Sequence, residues 1–256
     1  MLTVIRDAGN PDRPGLDTAI ARAMLLAADS GDAGAMFRLH VPGRVVAFGK
    51  RDVVSAGYDA AVRAVQAEGF TAVRRLAGGR AAVFHPGTIA FSWTSPEPSP
   101  RTTTTARFEA ISGLMARAFG RLGLDARIGE IPGEYCPGEW SVNLNGETKV
   151  MGVGQRLTAR AAHVGGVVVV SDASEVNRPL VGAYDALGLT WRPDATGALD
   201  EELPGLSVAD VTAAIVAELG SIGEPTPGEL PPAVLSHAET LLPDHLEAQR
   251  ETTGMR

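Results

Sequence analysis

The sequence predicts an α+β fold in which helices flank a mixed, largely antiparallel sheet and a small helical segment follows at the C-terminus. Two clusters of strand-like segments, at residues 71–93 and 141–170, contain short turns and are each adjoined by apolar residues at helical spacing. Strand clusters flanked by helices are typical of α+β domains. Beyond about residue 195 the composition becomes acidic and Pro-rich, so we place a domain at residues 1–200 and the helical segment at residues 201–256.

The composition excludes several classes of protein. The 256 residues are enough to bury a proper core, and a formal charge of −7 argues against nucleic acid as the main partner. No apolar run approaches the roughly 18 residues of a membrane helix, so we expect no membrane partner. The first residues lack the apolar core of a secretion signal, and the single cysteine, Cys136, has no intramolecular disulfide partner. These features predict a cytoplasmic protein.

The first 70 residues predict two helices and a hairpin. Apolar residues recur at helical spacing over residues 16–27, and a glycine follows the last turn. Residues 35–40 and 44–48 then alternate or run apolar around a Pro-Gly turn, as the two strands of a hairpin do. A second helical stripe covers residues 58–69 and ends in glycine.

The two strand clusters occupy the middle of the chain. The first has three strands, at residues 71–75, 81–84 and 88–93. A Pro- and Thr-rich loop at residues 95–105 leads to the strongest helical stripe, at residues 108–122. The second cluster also has three strands, at residues 141–144, 149–157 and 162–170, and an Asn-Gly turn joins the first two as a hairpin.

The C-terminal segment predicts two helices. Ser207 and Asp210 have the spacing of a capping box before an apolar stripe at residues 208–219. A last helix is interrupted by Pro243, and the tail at residues 251–256 is expected to fray.

Arginines, glycines and a histidine are concentrated around the turn of the first strand cluster. They are Arg74, Arg75, Gly78, Gly79, Arg80 and His85. Two adjacent glycines let a ligand approach the main chain closely, and arginines donate forked hydrogen bonds to phosphate or carboxylate. The turn is therefore a candidate binding site, and the alternative is an ordinary β-turn with solvated arginines.

Cys136 is the candidate nucleophile. It lies in a loop bracketed by two Pro-Gly turns, whereas a core cysteine more often lies in an apolar run. A thiol becomes reactive where a cation, a histidine or a helix start favours its thiolate. The alternative role is that of a small buried hydrophobe.

A lysine and two glycines mark the strand at residues 149–157. Gly152 and Gly154 fall on one face of the strand and leave a groove. Lys149, at one end of that groove, is placed to polarise a carbonyl, and a solvated lysine is the alternative. His163, before a Gly-Gly pair in the next strand, is either a base or a hydrogen-bonded core histidine.

The usual nucleotide and metal fingerprints are absent from the sequence. It contains neither Gly-x-x-x-x-Gly-Lys-Ser/Thr nor Gly-x-Gly-x-x-Gly. Its five histidines show no metal-ligand spacing, and one cysteine cannot form a zinc cluster. We therefore predict no structural metal.

Taken in order, these motifs resemble the biotin/lipoate protein ligase superfamily. They are Arg-Arg-Leu-Ala-Gly-Gly-Arg at residues 74–80 with His85 beyond it, Asn-Gly-Glu-Thr-Lys-Val-Met-Gly-Val-Gly-Gln-Arg at residues 145–156, and then His163. The likeness covers about residues 15–220. Within the superfamily the sequence is most similar to lipoate-protein ligase A and the cysteine-dependent octanoyltransferases.

The resemblance implies an acyl-transfer catalytic domain at residues 1–200. In such a domain the Gly-Gly turn and the strand that carries the lysine form the walls of a tunnel for an octanoyl or lipoyl chain. By this analogy Lys149 contacts the acyl carbonyl, so it is expected to be required for activity but dispensable for packing. The substrate-binding residues that the resemblance implies are Arg74, Arg75, Gly78, Gly79, Arg80, His85, Gly152, Gly154 and His163.

Three departures from the pattern of the ATP-dependent ligases favour the octanoyltransferases. The octanoyltransferases have Gly-Gly-Arg and a cysteine before the lysine hairpin, which correspond to Arg80 and Cys136. The ligases have a third glycine, a His-Asp pair and an Asn-Asp, where this sequence has Arg80, Pro86 and the residues around Trp140. We therefore expect that ATP is not required.

The mechanism that the resemblance implies is thioester exchange. Cys136, its thiolate favoured by nearby Lys149, takes an octanoyl or lipoyl group from an acyl carrier protein or lipoyl carrier domain, and a lipoyl-domain lysine then accepts it. Lys149 and backbone amides hold the oxyanion, and no cofactor is needed. One alternative is a lipoate ligase that uses ATP and Mg, with Arg74 and Arg80 near the triphosphate. The other is a non-catalytic protein that binds an acyl chain or a carrier domain.

Overall fold

Eleven strands form two sheets in the structure, a computed structural model that describes residues 1–247. They are β1 (Leu2–Asp7), β2 (Ala35–His40), β3 (Val45–Phe48), β4 (Thr71–Arg74), β5 (Ala82–Phe84), β6 (Thr88–Pro96), β7 (Ala126–Ile128), β8 (Val142–Leu144), β9 (Thr148–Leu157), β10 (Ala161–Val169) and β11 (Pro225–Pro227). The large sheet has the order β11-β1-β2-β6-β10-β9-β8-β7, and the small sheet has the order β4-β3-β5.

Helices flank these sheets. They are α1 (Leu16–Ser30), α2 (Lys50–Val53), α3 (Tyr58–Ala67), α4 (Thr104–Arg121), α5 (Ala173–Ala186), α6 (Leu199–Glu202), α7 (Val208–Glu218) and α8 (Pro232–Leu241). Within residues 1–247, no helix combines the length and apolar character needed to cross a membrane. The tail predicted to fray, residues 251–256, lies outside the described residues.

The predicted fold class is confirmed. In the large sheet, β1 pairs in parallel with β11 and β2, whereas the remaining neighbours pair antiparallel. The antiparallel series includes the Asn-Gly hairpin between β8 and β9, where Asn145 and Gly146 both have positive φ, as a type I′ turn requires. The main core lies between this sheet and the helices α4 and α7.

The predicted hairpin of β2 and β3 is wrong because the two strands lie in different sheets. Strand β2 is paired with β1 on one side and β6 on the other, so it has no free edge for β3. The Pro-Gly turn packs on the N-terminal segment, since a Cβ on Gly43 would lie 2.6 Å from the carbonyl oxygen of Pro11. Strand β3 therefore pairs with β4 and β5 in the small sheet, which holds the Gly-Gly turn.

Strand β1, helix α5 and strand β11 have no counterpart among the predicted elements. Helix α5 contains Pro179, and proline ordinarily breaks a helix because it lacks a backbone donor. Its buried face packs against α3 and the small sheet, and this packing outweighs the local penalty. The predicted loop at residues 95–105 is also too long, because β6 continues to Pro96 and α4 begins at Thr104.

The helical C-terminal segment is confirmed. The Ser207 hydroxyl accepts a hydrogen bond from the Asp210 amide (3.2 Å), and the Asp210 carboxylate accepts one from the Ser207 amide (3.0 Å), which completes the capping box. Helix α7 packs into the main core, and α8 packs on α1. The boundary at residue 200 stays a prediction.

Candidate active site

Two loops meet over strand β9 and build the candidate site. One loop, residues 129–141 between β7 and β8, carries Cys136, and the other, residues 75–81 between β4 and β5, carries the Gly-Gly turn. The second loop lies directly on β9, because a Cβ on Gly154 would lie 2.9 Å from the carbonyl oxygen of Gly78. Glycine at position 154 therefore permits the close approach of loop and strand.

Cys136 is half-buried and has an unusual backbone conformation. Its φ of 43° lies in the left-handed region, which non-glycine residues seldom adopt and which costs about 1–3 kcal/mol. The surroundings hold it there: the Cys136 amide donates to the Tyr184 hydroxyl (2.9 Å), which donates to the carbonyl of Ala81 (3.2 Å). Helix α5, which carries Tyr184, is thus part of the site, although no sequence pattern pointed to it.

The thiol of Cys136 is in contact with the Gly-Gly turn. Its Sγ accepts a hydrogen bond from the Arg80 amide (3.1 Å) and lies 3.7 Å from Nη1 of Arg75. Gly79 has a φ of 118°, and a Cβ at this position would lie 2.9 Å from the sulfur. The turn therefore brings a backbone donor and a guanidinium to the thiol in a way that requires glycine.

Lys149 is buried and points at the backbone of the cysteine loop, not at the thiol. Its ammonium donates to the Glu134 carboxylate (2.8 Å), the Tyr135 carbonyl (3.0 Å) and the Cys136 carbonyl (2.9 Å). These three acceptors use all three of its hydrogens. The expectation that Lys149 is dispensable for packing is therefore wrong, and Arg75, not Lys149, is the cation beside the sulfur.

Glu134 organises the cysteine loop, and the sequence analysis above does not single it out. Its side chain is fully buried and pairs with Lys149. The carboxylate also accepts hydrogen bonds from the Ser141 hydroxyl (2.7 Å) and from the amides of Ile131 (3.1 Å) and Gly138 (3.2 Å). The available signal was weak: an acidic residue two positions before the only cysteine.

The three arginines of the turn have different surroundings. Arg75 reaches the site, where its Nη1 donates to the Arg80 carbonyl (2.8 Å) beside the thiol. Arg80 contributes its amide, while its side chain pairs with the buried Asp52 (3.1 Å). Arg74 points away from the thiol, pairs with Glu247 (2.6 Å) and lines neither of the two cavities described below, so its predicted contact with the substrate stays a prediction.

The two predicted binding histidines are also separated. His85 is buried in the turn between β5 and β6, where its Nδ1 accepts a hydrogen bond from the Gly87 amide (3.1 Å). It lines neither of the two cavities described below, and its predicted binding role stays a prediction. His163 lines one of them and lies 3.3 Å from the Thr94 hydroxyl through Nδ1. Burial lowers the pKa of His163 to about 4, so its imidazole is neutral at neutral pH.

Because His163 is neutral in the folded protein, we expect the protein to lose stability in mild acid. In the unfolded chain the histidine protonates below its ordinary pKa of about 6.5, whereas the folded protein resists protonation until about pH 4. Stability is therefore full above about pH 6.5 and falls as the pH drops towards about 4. Between about pH 7 and about pH 5, protonation of this histidine in the unfolded chain lowers the free energy of unfolding by about 2 kcal/mol.

Urea unfolding at the two pH values tests this expectation. The decrease in unfolding free energy should be smaller by about 2 kcal/mol in His163→Gln than in the wild type. A matched control is His237→Gln, on the exposed face of α8, which should leave the decrease unchanged. An identical decrease in His163→Gln and wild type would exclude this histidine as the cause.

Two adjoining cavities surround the loop at residues 75–79. The cysteine cleft, with about 1100 Å³ of empty space including its open mouth, is lined by Cys136, Lys149, Gly78, Gly79, Gly152, Gly154 and the aromatic rings of Phe108 and Trp140. The distal cavity, with about 770 Å³ of empty space including its open mouth, is lined mainly by residues of α1, the segment before it, β6 and β10. Arg75, Phe84 and Gly166 line both. The structure thus brings together all the predicted glycines with the cysteine and the lysine.

The distal cavity combines an apolar wall with a polar end. Ala21, Ala77 and Phe91 contribute to the wall, whereas Asp17 and His40 line the polar end. Asp17 also accepts a hydrogen bond from the buried guanidinium of Arg38 (2.8 Å), while burial lowers the pKa of His40 to about 4. None of these polar residues was predicted to belong to the site.

Within residues 1–247, no group of three or more His, Cys, Asp or Glu side chains is arranged to hold a metal ion. A match to a known sequence profile identifies the family of this chain. The sequence profile of the lipoyl protein ligase A/B catalytic domain matches residues 14–220 of this chain. The chain belongs to this family.

The relatives of this chain include proteins named as octanoyltransferases. The octanoyl-[GcvH]:protein N-octanoyltransferase of Geobacillus kaustophilus is 28% identical over 232 residues, which cover 86% of this chain and 80% of the relative. The protein of the same name from Exiguobacterium sibiricum is 28% identical over 84% of this chain and 80% of the relative.

Solved structures of the lipoyl ligase family share the fold. Lipoate-protein ligase A bound with ATP superposes with a TM-score of 0.74 at 18% identity, over 94% of each chain. The bipartite lipoate protein ligase of Thermoplasma acidophilum, studied together with its E2 lipoyl domain, gives a TM-score of 0.73 at 17% identity, over 95% of this chain and 92% of the other. At these identities the likeness establishes the fold alone.

Proposed function

We propose that this protein is an acyltransferase of protein lipoylation, which moves an octanoyl or lipoyl group to a carrier-domain lysine through a thioester on Cys136. The observation that carries the proposal is the contact of the Cys136 thiol with the Arg80 amide and the Arg75 guanidinium inside an open cleft. The names of the relatives support an octanoyl group on GcvH as the donor. We place the reaction in the cytoplasm, where thiols stay reduced.

In the first half-reaction, Sγ of Cys136 attacks the carbonyl carbon of the acyl group on the donor. In octanoyl-GcvH the octanoyl group is an amide of a carrier lysine, so the carbon–nitrogen bond breaks and the lysine amine leaves with the proton of the thiol; from an acyl carrier protein the carbon–sulfur bond breaks and the donor thiol leaves instead. Negative charge that develops on the carbonyl oxygen needs donors close to the sulfur, and the Arg80 amide and Arg75 are the nearest. The product of this step is an acyl-enzyme.

In the second half-reaction, the amine of a lipoyl-domain lysine attacks the acyl-enzyme. An amide forms, the bond to Sγ breaks, and the thiol of Cys136 is restored by the proton that the amine loses. Lys149 supports both halves by holding the Cys136 carbonyl (2.9 Å). The resemblance implies that Lys149 contacts the acyl carbonyl. For this contact the ammonium must give up one of its three present acceptors and donate to the acyl carbonyl instead.

The acyl chain extends from the cysteine cleft towards the distal cavity. Arg75, Phe84 and Gly166 line both spaces, so a chain attached to Cys136 passes along Gly152 and Gly166 beneath the loop at residues 75–79. The apolar wall of the distal cavity suits the methylene groups of an octanoyl or lipoyl chain.

The competing function is an ATP-dependent lipoate ligase. The two arginines that this alternative assigns to the triphosphate are both paired with carboxylates, Arg74 with Glu247 and Arg80 with Asp52. Their charges are therefore partly neutralised, which favours transfer without ATP. Because the fold is similar to that of lipoate-protein ligase A bound with ATP, the experiment below also tests for ATP-dependent ligation.

We expect octanoyl transfer from octanoyl-GcvH without ATP. The measurement compares transfer to a lipoyl domain from octanoyl-GcvH with transfer from free octanoate plus Mg-ATP. The Cys136→Ser variant separates the two routes, because a ligase that makes an acyl-adenylate does not need the thiol. If the wild type and Cys136→Ser both form an adenylate from the free acid, the protein is a ligase. If the wild type transfers octanoate by neither route, a binding protein is favoured.

A further inference from the structure

A short segment at the C-terminus covers the edge of the small sheet. This C-terminal strap, residues 242–247, follows α8. The carbonyl of His245 accepts a hydrogen bond from the Arg74 amide (2.9 Å), and Nδ1 of His245 lies 2.9 Å from the Arg74 carbonyl. Leu246 forms an antiparallel bridge with Val73. The strap is thus bonded to β4 immediately before the loop that carries Arg75 and the Gly-Gly turn.

The same strap contacts the segment that precedes α1. A Cβ on Gly15 would lie 3.1 Å from Cδ2 of Leu246 and 3.3 Å from Cδ1 of Leu242, so both leucines pack against this glycine. Ion pairs join Asp244 to Arg22 (2.6 Å) and Glu247 to Arg74 (2.6 Å). Exposed ion pairs contribute little to stability, so the apolar and main-chain contacts hold the strap in place.

The two parts that the strap joins both form walls of the distal cavity. One wall includes Asn10, Pro14 and Gly15 from the segment before α1. The other includes Arg75 and Ala77 from the loop after β4. The family profile ends at residue 220, so the strap lies outside the matched residues.

We propose that the C-terminal strap fixes the separation of these two walls and thereby sets which acyl-chain lengths the distal cavity accepts. The inference rests on the proposed function, since it takes the distal cavity as the place of the acyl tail. Arg74 and His245 are then positioning residues that act through the loop at residues 75–79. This role accounts for an arginine that the sequence assigned to the ligand and that the structure turns towards the strap.

The test compares two double variants of the full chain that carry the same changes at different places. His245→Ala with Leu246→Ser loosens the strap. His237→Ala with Leu235→Ser makes the same replacements on the exposed face of α8 and is the matched control. Calorimetry measures the dissociation constants of hexanoic, octanoic and decanoic acid for each protein, and transfer from octanoyl-GcvH is measured in parallel.

The ratio of affinities is the decisive quantity. Each buried methylene is worth about fourfold in affinity, so the wild type and the control should prefer octanoic to hexanoic acid by about fifteenfold. In the strap variant we expect this preference to fall to about fourfold or less. We also expect the affinity for decanoic acid to rise relative to the affinity for octanoic acid, because the loosened walls accept a longer chain. A merely structural role would weaken all three acids equally and leave the ratios unchanged.

Unchanged ratios in the strap variant would overturn the inference, as would a wild type that binds none of the acids. If the affinity ratios change in the strap variant but no protein transfers the acyl group, the role of the strap is supported and the proposed function is rejected. If the acyl group is transferred but the ratios do not change, the proposed function is supported and the role of the strap is rejected. If the double variant does not fold, Leu246→Ala decides by the same ratios, because this side chain is 36% exposed and its truncation leaves the core intact.

Discussion

Replacement of Cys136 by serine is expected to lower acyl transfer by at least about a thousandfold and to abolish a covalent acyl adduct. A serine hydroxyl is not ionised near neutral pH, so it needs a neighbouring base. The described hydrogen-bond contacts of the thiol are the Arg80 amide and the Arg75 guanidinium, and neither is a base. Intact-protein mass spectrometry after incubation with octanoyl-GcvH detects the adduct, and hydroxylamine distinguishes a thioester from an amide.

The control for this experiment lies in the same loop. Glu139 is exposed three residues after Cys136, and Glu139→Gln should keep both the adduct and the transfer rate. If Cys136→Ser transfers the acyl group as fast as the wild type, the covalent mechanism is wrong. Direct transfer or an adenylating ligase would then be the better explanation.

Replacement of Lys149 by methionine is expected to destabilise the protein by about 3–5 kcal/mol, because the Glu134 carboxylate then stays buried without its cation. Activity should be lost as well, since the carbonyls of Tyr135 and Cys136 lose the ammonium that holds them. Urea unfolding followed by circular dichroism measures the first effect, and the octanoyl transfer assay measures the second.

A double-mutant cycle separates the ion pair from the other contacts. Glu134→Gln combined with Lys149→Met should cost less than the sum of the two single variants, because the second change removes the unpaired charge that the first leaves behind. Arg127→Met is the control: it breaks an exposed pair with Asp125 and should cost less than about 1 kcal/mol. Unfolding of Lys149→Met at the wild-type urea concentration would contradict the assigned role.

Much of the fold could be predicted because it depends on local patterns. Apolar spacing located α1, α3, α4 and α7, and two-residue alternation located most strands. The Asn-Gly turn and the capping box of Ser207 were found in the same way, since each needs only neighbouring residues. Helix α5 was missed because Pro179 is a local breaking signal, whereas its stability comes from distant packing partners on α3 and the small sheet.

The candidate site was predicted only in part. The glycines at positions 78, 79, 152 and 154 all line the cysteine cleft, as their freedom for close approach suggested. Arg74 and Arg75 are adjacent in sequence, yet only Arg75 reaches the thiol, because successive side chains at the end of a strand point to opposite sides. Tyr184 had no pattern that could reveal it, and the only signal for Glu134 was its place two positions before the cysteine.

By itself the sequence determined the fold class, the Gly-Gly turn and the candidate nucleophile, because these depend on residue types and on spacing along the chain. Only the tertiary structure decided which charges meet. It pairs Lys149 with Glu134 beneath the cysteine loop and Arg75 with the thiol. It also turns Arg74 towards the C-terminal strap. Electrostatic contacts act over a few ångströms of space, and residues within that range can be more than a hundred positions apart in the chain, as Arg74 and Glu247 are.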